Sequence, residues 1–129
     1  MNESIGDTEK TDIPILIIRE YGKTRYFSLT NQDSWTLGRA TPDNTPDIPL
    51  KSEIAGRKHG EFLLVNSQLF YVDRGSINGT CYNGKRIKKG LKGLANPILL
   101  NDGDVLLIDC GEPDASDSRR VSITIQIRD

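Results

Sequence analysis

The chain has 129 residues, a formal net charge of −1 at pH 7 and a sequence pI of about 5.8. This length suits one domain with a single core, and the near-neutral charge provides no general basic field for nucleic acid or an anionic membrane. The two cysteines, Cys81 and Cys110, have no Cys or His at metal-ligand spacing, so no disulfide framework, metal site or cofactor is expected.

Residues 1–12, MNESIGDTEKTD, are acidic and polar, and we expect a flexible tail here, followed by one domain over residues 13–129. The tail lacks the charged and apolar regions of a signal peptide. No apolar run approaches the roughly 20 residues that a membrane span needs. A soluble protein of the cytoplasm is therefore expected.

Short runs of β-branched and aromatic residues follow one another along the chain, separated by turn residues, and helical periodicity is nearly absent. This pattern is typical of an antiparallel sandwich or barrel. Strands are predicted near residues 13–20, 25–30, 34–40, 47–50, 59–66, 69–73, 80–83, 85–88, 98–100, 104–110 and 120–128. The predicted fold class is all-β, with two packed sheets of about eleven mostly antiparallel strands and functional loops at one end.

Turn residues support these divisions. Asn83-Gly84 is a strong two-residue hairpin signal, and residues 21–23, 66–68 and 101–104 are also rich in turn formers. In the last predicted strand Val121, Ile123, Ile125 and Ile127 alternate with polar residues, so one face of that strand should be buried. Residues 111–119 are expected to form a long polar loop.

The sequence disfavours two enzymatic functions, nucleotide hydrolysis and a hydrolase with a catalytic histidine. Gly79-x-x-x-x-Gly84-Lys85 resembles a nucleotide-binding P-loop, but Arg86 stands where magnesium binding needs Ser or Thr, and the following glycines and proline would not sustain a helix. His59 is the single histidine; it does not lie beside an obvious nucleophile, and Ser76 is the nearest plausible partner. Such a histidine is more often a buried structural residue than a general base. We therefore expect no enzyme activity.

Three separated segments share one pattern. They are Gly38-Arg39, DIPLKSEIAGRKHGEF over residues 47–62, and GSINGTCYNG over residues 75–84. In order and spacing they resemble the forkhead-associated (FHA) domain family, whose pattern runs Gly-Arg, Ser-Arg-x-His, Ser-x-Asn-Gly-Thr and Asn-Gly. NDGDVLLI, from Asn101, is similar to the family's later Asp-Gly-Asp turn. The resemblance covers about residues 13–128 and implies a phosphothreonine-binding β-sandwich.

The resemblance also implies roles for single residues. Arg39 would contact the phosphate with help from Arg57, and Asn78 would hydrogen-bond the peptide backbone beside the phosphothreonine. The loop around Ser76 could aim a hydroxyl, an amide and backbone N–H groups outward together. The expected phosphopeptide-binding residues are Arg39, Gly56, Arg57, Ser76, Ile77 and Asn78, and the expected loop-bracing residues are Gly38, His59, Gly79 and Thr80.

Simpler interpretations of these residues stay open at the sequence level. Arg39 and Arg57 could be solvated charges, and Asn78 could be an ordinary turn residue. The basic run over residues 85–89 is most simply a solvated edge that keeps a strand from pairing with other chains.

Gly56 departs from the family pattern, because it stands where the family has the serine whose hydroxyl donates to the phosphate. Losing one hydrogen bond to a charged group costs about 1.5–3 kcal/mol, or roughly 10- to 150-fold in affinity. Glycine keeps its backbone N–H, which could serve the phosphate instead.

Two functions are therefore considered. In the first, the domain is a signalling adaptor that binds phosphothreonine in a partner protein, or in its own N-terminal tail after modification of Thr8 or Thr11. In the second, it is a degenerate FHA scaffold that acts as a phospho-independent interaction or assembly module.

Overall fold

The computed structural model describes residues 13–88, 96–108 and 119–127, and within them the chain forms eleven strands. They are β1 (Ile15–Glu20), β2 (Lys23–Ser28), β3 (Ser34–Arg39), β4 (Ile48–Leu50), β5 (Gly60–Val65), β6 (Gln68–Asp73), β7 (Thr80–Tyr82), β8 (Lys85–Arg86), β9 (Ile98–Leu100), β10 (Val105–Ile108) and β11 (Val121–Gln126). Each corresponds to one strand predicted from the sequence, although several are shorter than predicted.

The strands form two sheets. A five-stranded sheet has the order β9-β6-β5-β3-β4, and a six-stranded sheet has the order β2-β1-β11-β10-β7-β8. All neighbouring strands run antiparallel except β3 and β4, which are parallel. The predicted fold class, an all-β and mostly antiparallel sandwich, is confirmed.

The core lies between the two sheets because each strand turns alternate side chains inward. In β11, Val121, Ile123 and Ile125 are buried while the residues between them are partly exposed. From the five-stranded sheet, Phe62 and Tyr71 contribute fully buried aromatic rings, whose centroids lie 5.2 Å apart at a tilted angle of 57°.

Three hairpins use backbone conformations with positive φ at both central residues, the arrangement of a type I′ turn. The central pairs are Tyr21 and Gly22 (φ 51° and 74°) between β1 and β2, Asn66 and Ser67 (φ 52° and 66°) between β5 and β6, and Asn83 and Gly84 (φ 48° and 88°) between β7 and β8. All three turns lie where the sequence predicted them.

Several strand ends meet at one edge of the sandwich. β3, β4 and β6 end there and β5 begins there, because β5 runs antiparallel to both β3 and β6, and β4 runs parallel to β3. β7 of the other sheet also begins there, since the hydroxyl of Thr80, its first residue, donates to Asp73 at the end of β6. The loop over residues 51–59 and the loop over residues 74–79 therefore lie next to each other. Hydrogen bonds from Arg39 N to Gly56 O (2.9 Å) and from Arg74 N to His59 O (3.0 Å) join these segments.

Some of the expectations concern residues outside the described ranges, namely the tail 1–12, Cys110 and most of the polar loop 111–119. In the described ranges no helix is long and apolar enough to cross a membrane. The same ranges hold no cluster of three or more His, Cys, Asp or Glu residues that could bind a metal. Cys81 is buried and is not in a disulfide.

Candidate functional site

Arg39 is the last residue of β3 and is held at the edge by its neighbours. Its amide donates to Gly56 O, 2.9 Å away. Gly38 makes this approach possible, because a Cβ there would lie 1.9 Å from the carbonyl oxygen of Arg57. The side chain is half-buried; its Nε is buried without a hydrogen-bond partner, and its guanidinium pairs with no described residue. This edge of the sandwich thus carries the guanidinium of Arg39, whose N–H groups have no partner among the described residues.

Asn78, in the loop over residues 74–79, contacts the same 51–59 loop that Arg39 contacts. Its Nδ2 donates to the carbonyl oxygen of Ile54, 2.8 Å away. Arg39 and Asn78 are therefore attached to backbone groups only two residues apart, at Gly56 and Ile54. The amide of Asn78 retains its oxygen and a second N–H for another partner.

Gly56 uses both of its backbone polar groups within the protein. Its carbonyl accepts from Arg39, and its N–H donates to Nδ1 of His59 at 2.9 Å. The sequence had suggested this N–H as a substitute donor for a phosphate, but the structure directs it inward. A Cβ built on Gly56 would meet nothing nearer than His59 Nδ1 at 3.5 Å, so a side chain fits there.

His59 is fully buried and links the two loops through Thr80. Its Nε2 lies 2.8 Å from the Thr80 hydroxyl, which itself donates to Asp73 at 2.7 Å. Because Thr80 gives its proton to Asp73, His59 Nε2 must be the donor, and Nδ1 accepts from Gly56. The ring is therefore neutral; its burial lowers its pKa below the usual 6.5, opposed by the negative charge of Asp73.

Asp73, the last residue of β6, holds the loop over residues 74–79 in place through hydrogen bonds. Its carboxylate accepts from the amides of Gly75 and Ser76, both at 2.9 Å, and from the Ser76 hydroxyl at 2.9 Å. Ser76 is thus buried with its hydroxyl directed inward, in contrast to the outward orientation expected from the sequence. Ile77, the next residue, is 94% exposed at the tip of the loop.

Gly79 allows a basic side chain to lie against this loop. It has a φ of 83°, and a Cβ there would lie 2.2 Å from Nη1 of Arg86. Arg86 therefore packs on the backbone beside Asn78. From the sequence, Arg86 was interpreted only as one of several solvated basic residues on an edge strand.

Other supporting residues were not identified from the sequence. Glu20, buried at the end of β1, accepts from the amides of Lys51 (2.6 Å) and Ser52 (2.7 Å) with one carboxylate oxygen. Asn44 donates to the carbonyl oxygens of Arg39 and Arg57, both at 2.9 Å. Both contacts hold the loop that carries Gly56. A strand-end glutamate and a turn asparagine are too common to indicate such contacts in a single sequence.

Arg57 is exposed and lines a cavity of about 410 Å³ beside Lys58 and Arg74. Arg39 and Asn78 do not line this cavity. The predicted site residues therefore fall into two groups: Arg39, Gly56, Ile77 and Asn78 lie around the joined loops, whereas Arg57 borders the neighbouring cavity.

Comparison with known proteins agrees with this architecture. A family model described as FHA domain matches residues 35–109. The chain is similar to the yeast Pml1 splicing factor, solved in work on its integration into the RES complex (TM-score 0.71, 21% identity, 91% of this chain and 80% of that chain). It is also similar to the N-terminal FHA domain of S. cerevisiae Rad53p in complex with a phosphothreonine peptide (TM-score 0.70, 25% identity, 90% and 94%).

A third similar structure is the FHA domain of the CT664 protein from Chlamydia trachomatis (TM-score 0.68, 17% identity, 91% of this chain and 99% of that chain). At 17 to 21% identity, the likenesses to CT664 and Pml1 concern the fold alone. No sequence among curated proteins matches this chain significantly.

Proposed function

The chain belongs to the FHA domain family, and we propose that it binds a phosphothreonine-containing segment of a partner protein, as a signalling adaptor in the cytoplasm. FHA domains are interaction modules rather than enzymes. The Rad53p domain was solved with a phosphothreonine peptide, which supports this ligand class for the present chain.

The guanidinium of Arg39 is the observation that carries the proposal. It is half-buried, its Nε has no partner, and no carboxylate of the described residues neutralises it. Leaving a buried donor unsatisfied costs about 1–3 kcal/mol, and a bound anion would supply the missing acceptor. A phosphoryl group brings a charge of about −1.5 to −2 and three acceptor oxygens, which match the guanidinium fork.

The remaining residues take complementary roles in this proposal. Asn78 offers its free amide oxygen and second N–H to the backbone of the bound peptide, and Arg57 adds positive charge at the boundary of the site. Ile77, exposed at the loop tip, contacts the peptide through its apolar side chain. Ser76 acts through Asp73 as a bracing residue, because its hydroxyl is already donated.

One observation favours the alternative function, a phospho-independent interaction module. Gly56 has no hydroxyl, and its N–H is already donated to His59. Gly56 therefore offers a bound phosphate neither a side-chain hydroxyl nor a free backbone N–H. On this basis we expect phosphothreonine binding to be weak, with an affinity reduced roughly 10- to 150-fold by the missing hydroxyl.

A direct test is titration of matched peptide pools containing phosphothreonine, phosphoserine or unmodified threonine. We expect phosphothreonine to bind most tightly, and Arg39→Ala to abolish the preference. Lys85→Ala is the control, because it removes the same charge from an exposed position on β8. Equal binding of all three pools would contradict phosphothreonine recognition and support the alternative module.

The chain's own N-terminal tail is a second candidate ligand. Thr8 and Thr11 lie in its acidic sequence GDTEKTD. Phosphorylation of either threonine would place a phosphothreonine on the same chain, where a tethered ligand has a high effective concentration. Binding of an external phosphopeptide should then weaken, and unchanged affinity after tail phosphorylation would exclude this form of self-binding.

A further inference from the structure

A separate cavity of about 410 Å³ lies on the outer face of the five-stranded sheet. Thr36, which lines it, is exposed between the buried residues Trp35 and Leu37 of β3, so it points away from the core. Glu61, its cross-strand partner on β5, lines the same cavity. The volume falls in the range of about 300–1,000 Å³ that is usual for ligand sites.

The lining is strongly cationic. Arg57, Lys58 and Arg74 face a single carboxylate, that of Glu61, which forms an ion pair with Arg74. Arg57 and Lys58 are exposed, and neither side chain forms a hydrogen bond or ion pair with any residue that the structure describes. Two of the three cations are therefore available to an anion from outside.

The cavity wall is fixed by contacts within the protein. Thr41 and Asn44 exchange backbone hydrogen bonds of 3.0 and 3.1 Å, and the Asn44 side chain ties the carbonyl oxygens of Arg39 and Arg57 together. The close contact between Gly38 and Arg57 holds the same segment against β3. A site formed in advance avoids much of the ordering cost of binding.

The cavity and the Arg39 site share one wall. Gly56 accepts the Arg39 amide, and the next two residues, Arg57 and Lys58, line the cavity. An extended peptide advances about 3.3–3.6 Å per residue, so a ligand held at Arg39 and Asn78 reaches the cavity within a few residues.

We propose that this cavity is a second anion site, which receives an acidic side chain of the bound partner a few residues from its phosphothreonine. The acidic group is a carboxylate or a second phosphoryl group, since both accept hydrogen bonds from guanidinium and ammonium groups. The proposal rests on the proposed function and adds a preference for acidic flanking sequence.

The test uses phosphothreonine peptides that differ only in their flanks, which carry glutamine, glutamate or phosphoserine, with affinity measured by calorimetry. We expect the glutamate or phosphoserine flank to improve affinity about three- to tenfold over glutamine. Whichever of the two gains more identifies the source of the anion. Lys58→Gln should remove at least half of the gain.

Two further variants make the test specific to the cavity. Glu61→Gln removes the single carboxylate and frees Arg74, so it should increase the gain from an acidic flank. Lys51→Gln is the charge-matched control, because Lys51 is exposed at the start of the loop over residues 51–59 and does not line the cavity. A gain that survives Lys58→Gln, or that falls equally with Lys51→Gln, would overturn the proposal.

Failure of the proposed function would give a different result, namely phosphorylated peptides that bind no better than unmodified ones. In that case the cavity is tested by titrating the unphosphorylated glutamate-flank peptide and following the amide resonances of Thr45 and Lys58 by NMR. Shifts with glutamate but not with glutamine support the anion site. The absence of such shifts overturns it.

Discussion

The amide of Arg39 donates to the carbonyl oxygen of Gly56 at 2.9 Å, so the end of β3 is hydrogen-bonded directly to a residue that departs from the family pattern. The arginine proposed to bind phosphate, at the end of β3, and the glycine that lacks the family's hydroxyl, in the loop over residues 51–59, are thus direct neighbours. A side chain restored at position 56 would start from a backbone that is already fixed beside Arg39.

Gly56→Ser is expected to strengthen phosphothreonine binding. The new Cβ meets His59 Nδ1 at an ordinary contact distance of 3.5 Å, so the fold should accept it. One hydrogen bond to a charged group corresponds to a gain of roughly 10- to 150-fold. Calorimetry with one phosphothreonine peptide measures the change. Gly56→Ala adds the same Cβ without a hydroxyl, so its affinity for the phosphothreonine peptide should not increase. Equal affinities of the serine and alanine variants would contradict the placement of a phosphate beside position 56.

Gly38→Ala is expected to destabilise the fold and weaken binding together. The added Cβ would lie 1.9 Å from the Arg57 carbonyl oxygen. This is a backbone atom, so a change of side-chain rotamer cannot relieve the clash. Forcing an extra group into a packed position typically costs about 1–3 kcal/mol in the free energy of unfolding. Urea denaturation measures this loss, with Gly56→Ala as the tolerated glycine substitution. If Gly38→Ala were as stable as Gly56→Ala, the close backbone contact would be disproved.

The strands were predictable because each combines two-residue alternation with turn formers at its ends. β11 shows this best: the positions predicted to face inward, from Val121 to Ile125, are buried. The family resemblance implied that Arg39 and Asn78 lie at one edge of the sandwich, and both residues form hydrogen bonds to residues 54–56 at that edge.

The orientation of individual side chains was harder to predict. Ser76 and Asn78 are both polar loop residues, yet only Ser76 is captured by Asp73, because that carboxylate already accepts two amides of the same turn. Glu20 contacts a loop 31 and 32 residues away in sequence. Such contacts depend on how the two sheets pack, and no local pattern encodes them.

Thr80→Val should be clearly less stable than Thr80→Ser. The Thr80 hydroxyl is buried and joins His59 Nε2 to Asp73, so valine, which has nearly the same shape, leaves groups on both sides without this partner. Each buried group left unsatisfied costs about 1–3 kcal/mol, whereas serine keeps the hydroxyl. Urea denaturation of both variants measures the difference. A valine variant as stable as the serine variant would show that the His59–Thr80–Asp73 link contributes little.

Stability should fall as the pH is lowered below about 6.5, the usual pKa of histidine. Burial lowers the pKa of His59 in the folded state, so in this window the unfolded chain binds a proton that the folded chain does not. The free energy of unfolding then declines with a slope approaching 1.4 kcal/mol per pH unit, and levels off below the folded-state pKa. Because His59 is the single histidine, urea denaturation between pH 7.5 and 5 isolates its contribution. In His59→Gln the decline around pH 6 should disappear; an unchanged decline would assign it to other groups.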